Sequence, residues 1–147
     1  MGCPNLEFES SGDLLMVPAA GSKLEVGQAA VVTATVHNDG TLTGTGEVTF
    51  YWQQQGVGKP IQQIPANPPN INPVPFAGVS PGSSIPVSSE WIPTTSIVGT
   101  APEAKGYLYA TVSTTAILPS CPGSNPAPAP DPSYPGPVGC IFATILN

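Results

Sequence analysis

The one histidine of the chain, His37, is the residue on which most nucleophilic catalytic sites would depend. A Ser-His-Asp or Cys-His arrangement needs an imidazole as its base. His37 is followed by Asn38-Asp39-Gly40, residues that favour a turn, so we expect a solvated histidine at the end of a strand. Histidines and cysteines do not cluster at the spacing of zinc ligands, and the sequence predicts neither a metal site nor a cofactor.

Paired carboxylates are a second arrangement that could do chemistry, because glycoside hydrolases use two of them. Glu47 and Glu90 flank predicted strands and could meet in space, whereas Glu7 and Glu9 lie in a polar N-terminal segment. Acidic residues are few and scattered, and no aromatic-lined cleft is evident from the sequence. The chain is therefore predicted not to be an enzyme.

The cysteines allow two interpretations. Cys121 and Cys140 bracket a proline-rich stretch. A disulfide between them would close a loop and stabilise the fold by about 3 kcal/mol, because it lowers the entropy of the unfolded chain. Such a bond would indicate an oxidising compartment; the alternative is a pair of free thiols. Cys3 is then left over, and it is free, lipid-linked or bonded to another chain.

Aromatic residues fall on both faces of the predicted strands. Trp52 and Trp91 are in register with apolar neighbours and are predicted to lie in the core. Tyr51, Tyr107 and Tyr109 lie on the opposite faces, where an exposed row would suit contact with a sugar or a protein. The alternative is cross-strand pairing that only stabilises the sheet.

These residues must be positioned by strands, because alternation of apolar and polar residues is the dominant pattern and no segment has helical periodicity. The first run, 13–17, is closed by Pro18, as an edge strand would be. The segments predicted as strands are 13–17, 30–37, 46–54, 84–91, 106–114 and 139–146, with short edge strands at 61–64 and 74–79. The fold class is predicted as all-β: a single Ig-like antiparallel sandwich of about seven strands.

The predicted organisation is a polar lead-in over 1–12 and one sandwich domain over 13–147. Within that domain, 119–139 is a long Pro-rich hairpin loop before the last strand, with polyproline character. Connections of this length are usually functional or disordered. Proline is concentrated there: Pro119, Pro122, Pro126, Pro128, Pro130, Pro132, Pro135 and Pro137.

The charge balance restricts the partners. Charged residues make up 8% of the chain and the net charge is -6, with three lysines and no arginine. Lys23, Lys59 and Lys105 are too few and too scattered to neutralise a phosphate backbone, which disfavours nucleic acid. No apolar run approaches the roughly 18 residues of a membrane span.

The order of these strands and turns along the chain resembles that of the CARDB-type bacterial adhesion modules, a branch of the Ig-like β-sandwiches. The most specific element is a strand ending in Val-x-Asn-x-Gly followed by a strand containing Phe-Tyr. The chain departs from the family's pattern in having Ser113 and Thr114 after Val112, where members often have an Asp. The stretches that carry the resemblance are 13–17, 26–28 with 32–40, 48–52, 80–82 with 87–93, and 106–112.

The resemblance implies a non-enzymatic adhesion, spacer or interaction module of an extracellular or surface-associated protein, with no catalytic residue to transfer. Its partner would be a protein or a glycan, and it could form homo-oligomers or contact neighbouring domains. One alternative is a structural subunit of a virion, phage tail or extracellular filament, because no apolar leader follows Met1. The other is a carbohydrate-binding module that uses the three tyrosines.

Overall fold

The computed structural model describes residues 6–8, 13–17, 23–56, 58–59, 61–65, 71–99, 101–114 and 140–146. This part of the chain contains ten strands and a single helical turn. Among these residues, no helix is long and apolar enough to cross a membrane. The elements are β1 (Leu6–Glu7), β2 (Leu14–Val17), β3 (Leu24–Glu25), β4 (Ala30–Asn38), β5 (Gly44–Gln54), β6 (Ile61–Gln63), β7 (Val74–Val79), β8 (Ser84–Trp91), α1 (Thr95–Val98), β9 (Glu103–Thr114) and β10 (Cys140–Leu146).

The strands form two sheets. In the first sheet β4 is central, with β8 on one side and β1 and β2 one after the other along its second side. In the second sheet the order is β3, β10, β9, β5, and both β6 and β7 then pair with the remaining side of β5. All these pairs are antiparallel except β3 with β10, which is parallel.

The core lies between the sheets, because the strands alternate buried and more exposed residues as the sequence predicts. Trp52 of β5 and Trp91 of β8 are both fully buried, and their ring centroids lie 5.3 Å apart at an interplanar angle of 38°. They join the two sheets at the centre of the core. The predictions of an all-β sandwich and of core positions for both tryptophans are confirmed.

Three short elements were not predicted, and one pairing differs in direction. Leu6 and Phe8 fall in the predicted polar lead-in, yet both are buried, and β1 pairs with the end of β4. The two-residue strands β1 and β3 are too short to show any periodicity, and so is the four-residue α1. The predicted antiparallel sandwich must be corrected at β3, because a parallel partner distant in sequence leaves no local pattern.

A buried asparagine links the turn after β4 to the second sheet. The Asn38 side chain is fully buried, and its Nδ2 donates to the carbonyl oxygens of Leu42 and Val79, both at 2.8 Å. Its Oδ1 accepts from the Gly40 N–H at 2.9 Å. Since β4 and β7 belong to different sheets, this one side chain holds the β4–β5 connection against the end of β7.

A second buried asparagine fills a gap in the second sheet. β6 pairs with β5 at residues 51–53 and β7 pairs at residues 44–48, so the backbone of Phe50 falls between the two ladders. Asn72 accepts from the Phe50 N–H at 3.0 Å and donates Nδ2 to the carbonyl oxygens of Phe50 and Ile64. The side chain therefore replaces a missing strand partner and satisfies buried backbone groups.

Candidate interaction surface

His37 lies on β4 and contacts a carboxylate. Its Nε2 is 3.1 Å from Oδ1 of Asp13, which immediately precedes β2, and the two side chains are 25% and 12% exposed. The histidine is thus partly buried and bound to an acid, whereas the sequence predicted a solvated turn residue. The pair ties the beginning of β2 to the end of β4.

The carboxylates Glu47 and Glu90 do not form a pair. Glu47 precedes the inward-facing Val48 on β5, and Glu90 precedes the inward-facing Trp91 on β8, so both acids face outward from different sheets. The core separates them, and they cannot work together on one bond. Within the described ranges, no three His, Cys, Asp or Glu side chains converge as metal ligands.

The three tyrosines share the outer face of the second sheet but differ in exposure. Tyr109 is buried, with 3% of its surface exposed, whereas Tyr51 and Tyr107 are half-buried. Tyr51 is directly opposite Tyr109 across β5 and β9, and the rings of Tyr107 and Tyr109 lie 6.2 Å apart. Instead of the exposed row of three tyrosines that the sequence suggested, the structure has a cross-strand cluster in which only the rings of Tyr51 and Tyr107 are accessible.

Of the proposed disulfide, only one end belongs to the part of the chain that the structure describes. Cys140 is the first residue of β10, and its backbone is opposite Tyr109 of β9. Cys121, Cys3 and the loop at 119–139 lie outside the described residues. The pairing of Cys121 with Cys140 stays a prediction.

The outer face of the first sheet presents an apolar patch along β2. Leu15, Val17 and Val31 are 59%, 69% and 41% exposed, and we call these three residues the β2 patch. Val17 of β2 is directly opposite Val31 of β4, while Leu15 is opposite Thr33. Exposed aliphatic residues that adjoin on one sheet face are a typical feature of a protein contact surface.

Beyond the β2 patch the same face is polar but almost uncharged. Thr33 Oγ1 and Ser88 Oγ lie 2.7 Å apart across β4 and β8. Glu90 is opposite Val31, and Pro86 is opposite Thr35. A partner on this face would contact hydroxyl and aliphatic groups, and its binding would remove water from few charged groups.

The edges of the two sheets are protected unequally. Strands with an unpaired edge are commonly blunted by proline, lysine or shortness. Pro86 lies within β8, Pro75 lies within β7, and β3 has only two residues, preceded by Lys23. Strand β2 contains no proline or charged residue, and among the described strands only β4 pairs with it.

Four consecutive apolar residues, Leu14 to Val17, explain why the sequence did not identify this patch. An edge strand at 13–17 was predicted, but an uninterrupted apolar run does not reveal which side chains point inward. The structure places Leu14 and Met16 in the core and turns Leu15 and Val17 outward. The one available signal was the excess of apolar residues over what a half-buried strand requires.

A charged cluster lies elsewhere, on the second sheet. Lys23 Nζ is 3.3 Å from Oε2 of Glu103, and Lys105 Nζ is 3.4 Å from its Oε1. Hydrogen bonds from Lys23 and then Lys105 hold the pKa of the Glu103 carboxyl below its ordinary value of 4.5. All three side chains are at least one-third exposed, so the cluster is a solvated surface feature that contributes little to stability.

Comparison with known proteins supports the fold. No family model matches the chain, and no curated protein matches it. Among solved structures, it is similar to an alkylpurine DNA glycosylase of Pseudomonas fluorescens bound to DNA containing an abasic-site analogue. That similarity has 8% identity and a TM-score of 0.57, over 97% of this chain and 31% of the glycosylase chain.

A second similar structure is the CARDB domain of a Pyrococcus furiosus protein in complex with di-metal ions. The identity is 13% and the TM-score 0.49, over 98% of this chain and 90% of that one. This chain spans about a third of the glycosylase's length, and at 8% identity the likeness concerns the fold alone. Sheet order and burial lead to one conclusion: the chain folds as an immunoglobulin-like β-sandwich.

Proposed function

We propose that this protein is a non-enzymatic interaction module that binds protein through the outer face of its first sheet. The observation that carries the proposal is the β2 patch, three aliphatic side chains exposed side by side on β2 and the adjacent β4, with neither proline nor lysine within β2. Exposing such a patch costs solubility, and a bound partner would remove that cost.

The chemistry of the surface favours protein over the other partner classes. Three lysines in the whole chain, two of them engaged with Glu103, supply no basic stripe for phosphates. A glycan site would rest on Tyr51 and Tyr107, because the buried Tyr109 cannot stack on a sugar ring. Binding through β2 needs only the apolar and backbone contacts that a protein partner supplies.

The wider role within this proposal is that of an adhesion or spacer module of CARDB type, at the cell surface or outside the cell. The sequence resemblance, the low charge and the predicted Cys121–Cys140 bond support it. The Val-x-Asn-x-Gly element of that resemblance corresponds to a structural device, since Asn38 and Gly40 form the hydrogen-bonded turn that joins the sheets.

A structural subunit of a virion, tail or filament is the second candidate function, and the same edge favours it. A strand with one unpaired side can accept a strand from a neighbouring subunit and so build an assembly. The two candidates differ in what the contact through β2 builds: a reversible contact between surfaces in adhesion, and a permanent array of subunits in a structural assembly.

The test of the proposed function is a bead-attachment assay with the full chain. Beads coated with wild-type protein are counted on the surface of the cells that produce it, and compared with beads carrying Leu15→Lys/Val17→Lys. The matched control is Ile61→Lys/Ile71→Lys, which adds the same two charges at residues 42% and 51% exposed and away from the β2 patch. Attachment that falls only for the β2 variant supports the proposal; equal attachment by all three proteins refutes it.

A further inference from the structure

Strand β2 has a self-complementary edge. Its residues Leu14–Val17 are all apolar, and its ladder with β4 leaves the opposite row of backbone groups without a strand partner among the described elements. An unpaired edge of this kind is a template for one more strand. The added strand must itself be uncharged, because it would lie beside Leu15 and Val17 with no countercharge on β2.

We propose that the partner of β2 is the β2 strand of a second copy of this chain, paired antiparallel about a two-fold axis. The inference rests on the proposed function and names the partner of the same surface. A two-fold interface uses the same patch on both subunits, so the strand must match itself. Among the described edges, β2 is the one that has four uncharged residues and no internal proline.

The side-chain directions restrict the register, and pairing both outward residues of β2 with outward residues then selects one. Opposed residues of an antiparallel pair project from the same face, so Leu15 must meet an outward residue of the second copy. Pairing Leu15 with Val17 of the second copy places Met16 on the axis and joins both β2 patches into one apolar surface. The sequence continues with Pro18, which has no N–H to donate, and this confines the shared ladder to β2.

This register also keeps like charges apart, which matters for a chain of net charge -6. Glu90 lies on β8, two strands from the β2 edge, so the two copies of Glu90 are separated by five strand spacings, about 24 Å. The two copies of Asp13 are offset by six residues along the strands, about 20 Å. Both distances exceed the screening length of about 8 Å at physiological salt.

The test measures molar mass by light scattering and sedimentation from about 1 µM to about 1 mM. We expect a reversible monomer–dimer equilibrium for the wild type and at least about a 100-fold increase in the dissociation constant for Leu15→Lys/Val17→Lys. Ile61→Lys/Ile71→Lys carries the same net charge and is expected to dimerise like the wild type. Thermal melts establish that both variants fold, since all four substituted side chains are exposed.

Amide hydrogen exchange locates the contact. Protection of those Leu14–Val17 amides that point away from β4 should increase with protein concentration in the wild type, while the amides of β7, at another sheet edge, should not respond. Concentration-dependent protection at β2 supports the dimer. A wild type that stays monomeric at about 1 mM, or a dimer that survives the two β2 lysines, overturns it.

The proposed function and the proposed dimer can be refuted independently of each other. Beads that attach to cells in a β2-dependent way while the protein stays monomeric would retain the interaction module and reject the second copy as its partner. A β2-dependent dimer without attachment to cells would retain the second copy and shift the role to a self-assembling subunit. A monomer whose attachment is independent of β2 rejects both.

Discussion

Replacing Asn38 by alanine should destabilise the fold far more than its position in a turn-like sequence suggests. The change removes three hydrogen bonds, two to the carbonyls of Leu42 and Val79 and one from the Gly40 N–H. The Val79 carbonyl is in the buried interior, and leaving it without a donor costs about 1–3 kcal/mol. The other two groups are partly buried, and each contributes about 0.5–1 kcal/mol because water can replace the amide.

We therefore expect Asn38→Ala to lower the free energy of unfolding by about 2–5 kcal/mol. Urea denaturation monitored by the fluorescence of the buried Trp52 and Trp91 measures it. Thr43→Ala, an exposed position in the same connection, is the control and should change stability by less than about 0.5 kcal/mol. A loss below about 1 kcal/mol for Asn38→Ala would show that this side chain does not hold the two sheets together.

Three further changes test the packing and the charges. A Cβ at Gly106 would lie 2.5 Å from the carbonyl oxygen of Gln53 and 2.7 Å from Cζ2 of Trp52. Gly106→Ala should therefore cost about 1–3 kcal/mol in urea denaturation and shift the tryptophan emission. An unshifted spectrum would contradict the close approach to Trp52. The Trp91 indole N–H has no acceptor among the described residues. Trp91→Phe should therefore lower the free energy of unfolding by less than half as much as Trp91→Ala does. Equal losses of stability would show that the aromatic ring does not matter. The lowered pKa of Glu103 means that its ion pairs favour the folded state above pH 4.5 and that this contribution disappears as the pH falls below that value. Wild type and Glu103→Gln should thus differ slightly in melting temperature at pH 7, and this difference should vanish as the pH falls through the lowered pKa of Glu103. A difference independent of pH would exclude the ion pairs as its cause.

The long strands were readable from the sequence because a half-buried strand imposes a period of two on its residues. Strand β8 was predicted at its observed bounds, and β5 begins two residues earlier than predicted. The extension of β5 begins at Gly44, which has no side chain to show the alternation. Strands β1 and β3 carry no local signal, since two residues form a strand only when a distant partner is present.

The candidate surface was predicted less well, because exposure depends on what covers a face. Alternation correctly places Tyr109 opposite the apolar residues of β9, yet the ring is buried beside Tyr107 on the outer side of the second sheet. The β2 patch could not be predicted, because Leu14–Val17 has apolar residues on both faces and the sequence does not show which face lies in the core. The burial of Asn38 was likewise unpredictable, because Asn-x-Gly is typical of exposed turns as well as of this internal link.

The parallel pairing of β3 with β10 has a consequence for how the protein is made. Ile145 and Leu146 pair with Leu24 and Glu25, residues separated by most of the chain. The second sheet therefore cannot be completed during synthesis until β10 has left the ribosome. Until then the edges of β9 and β3 that pair with β10 stay unpaired. Loop closure over such a distance slows folding, so the nascent chain is exposed to wrong pairing of β3 and β9 until β10 has been synthesised.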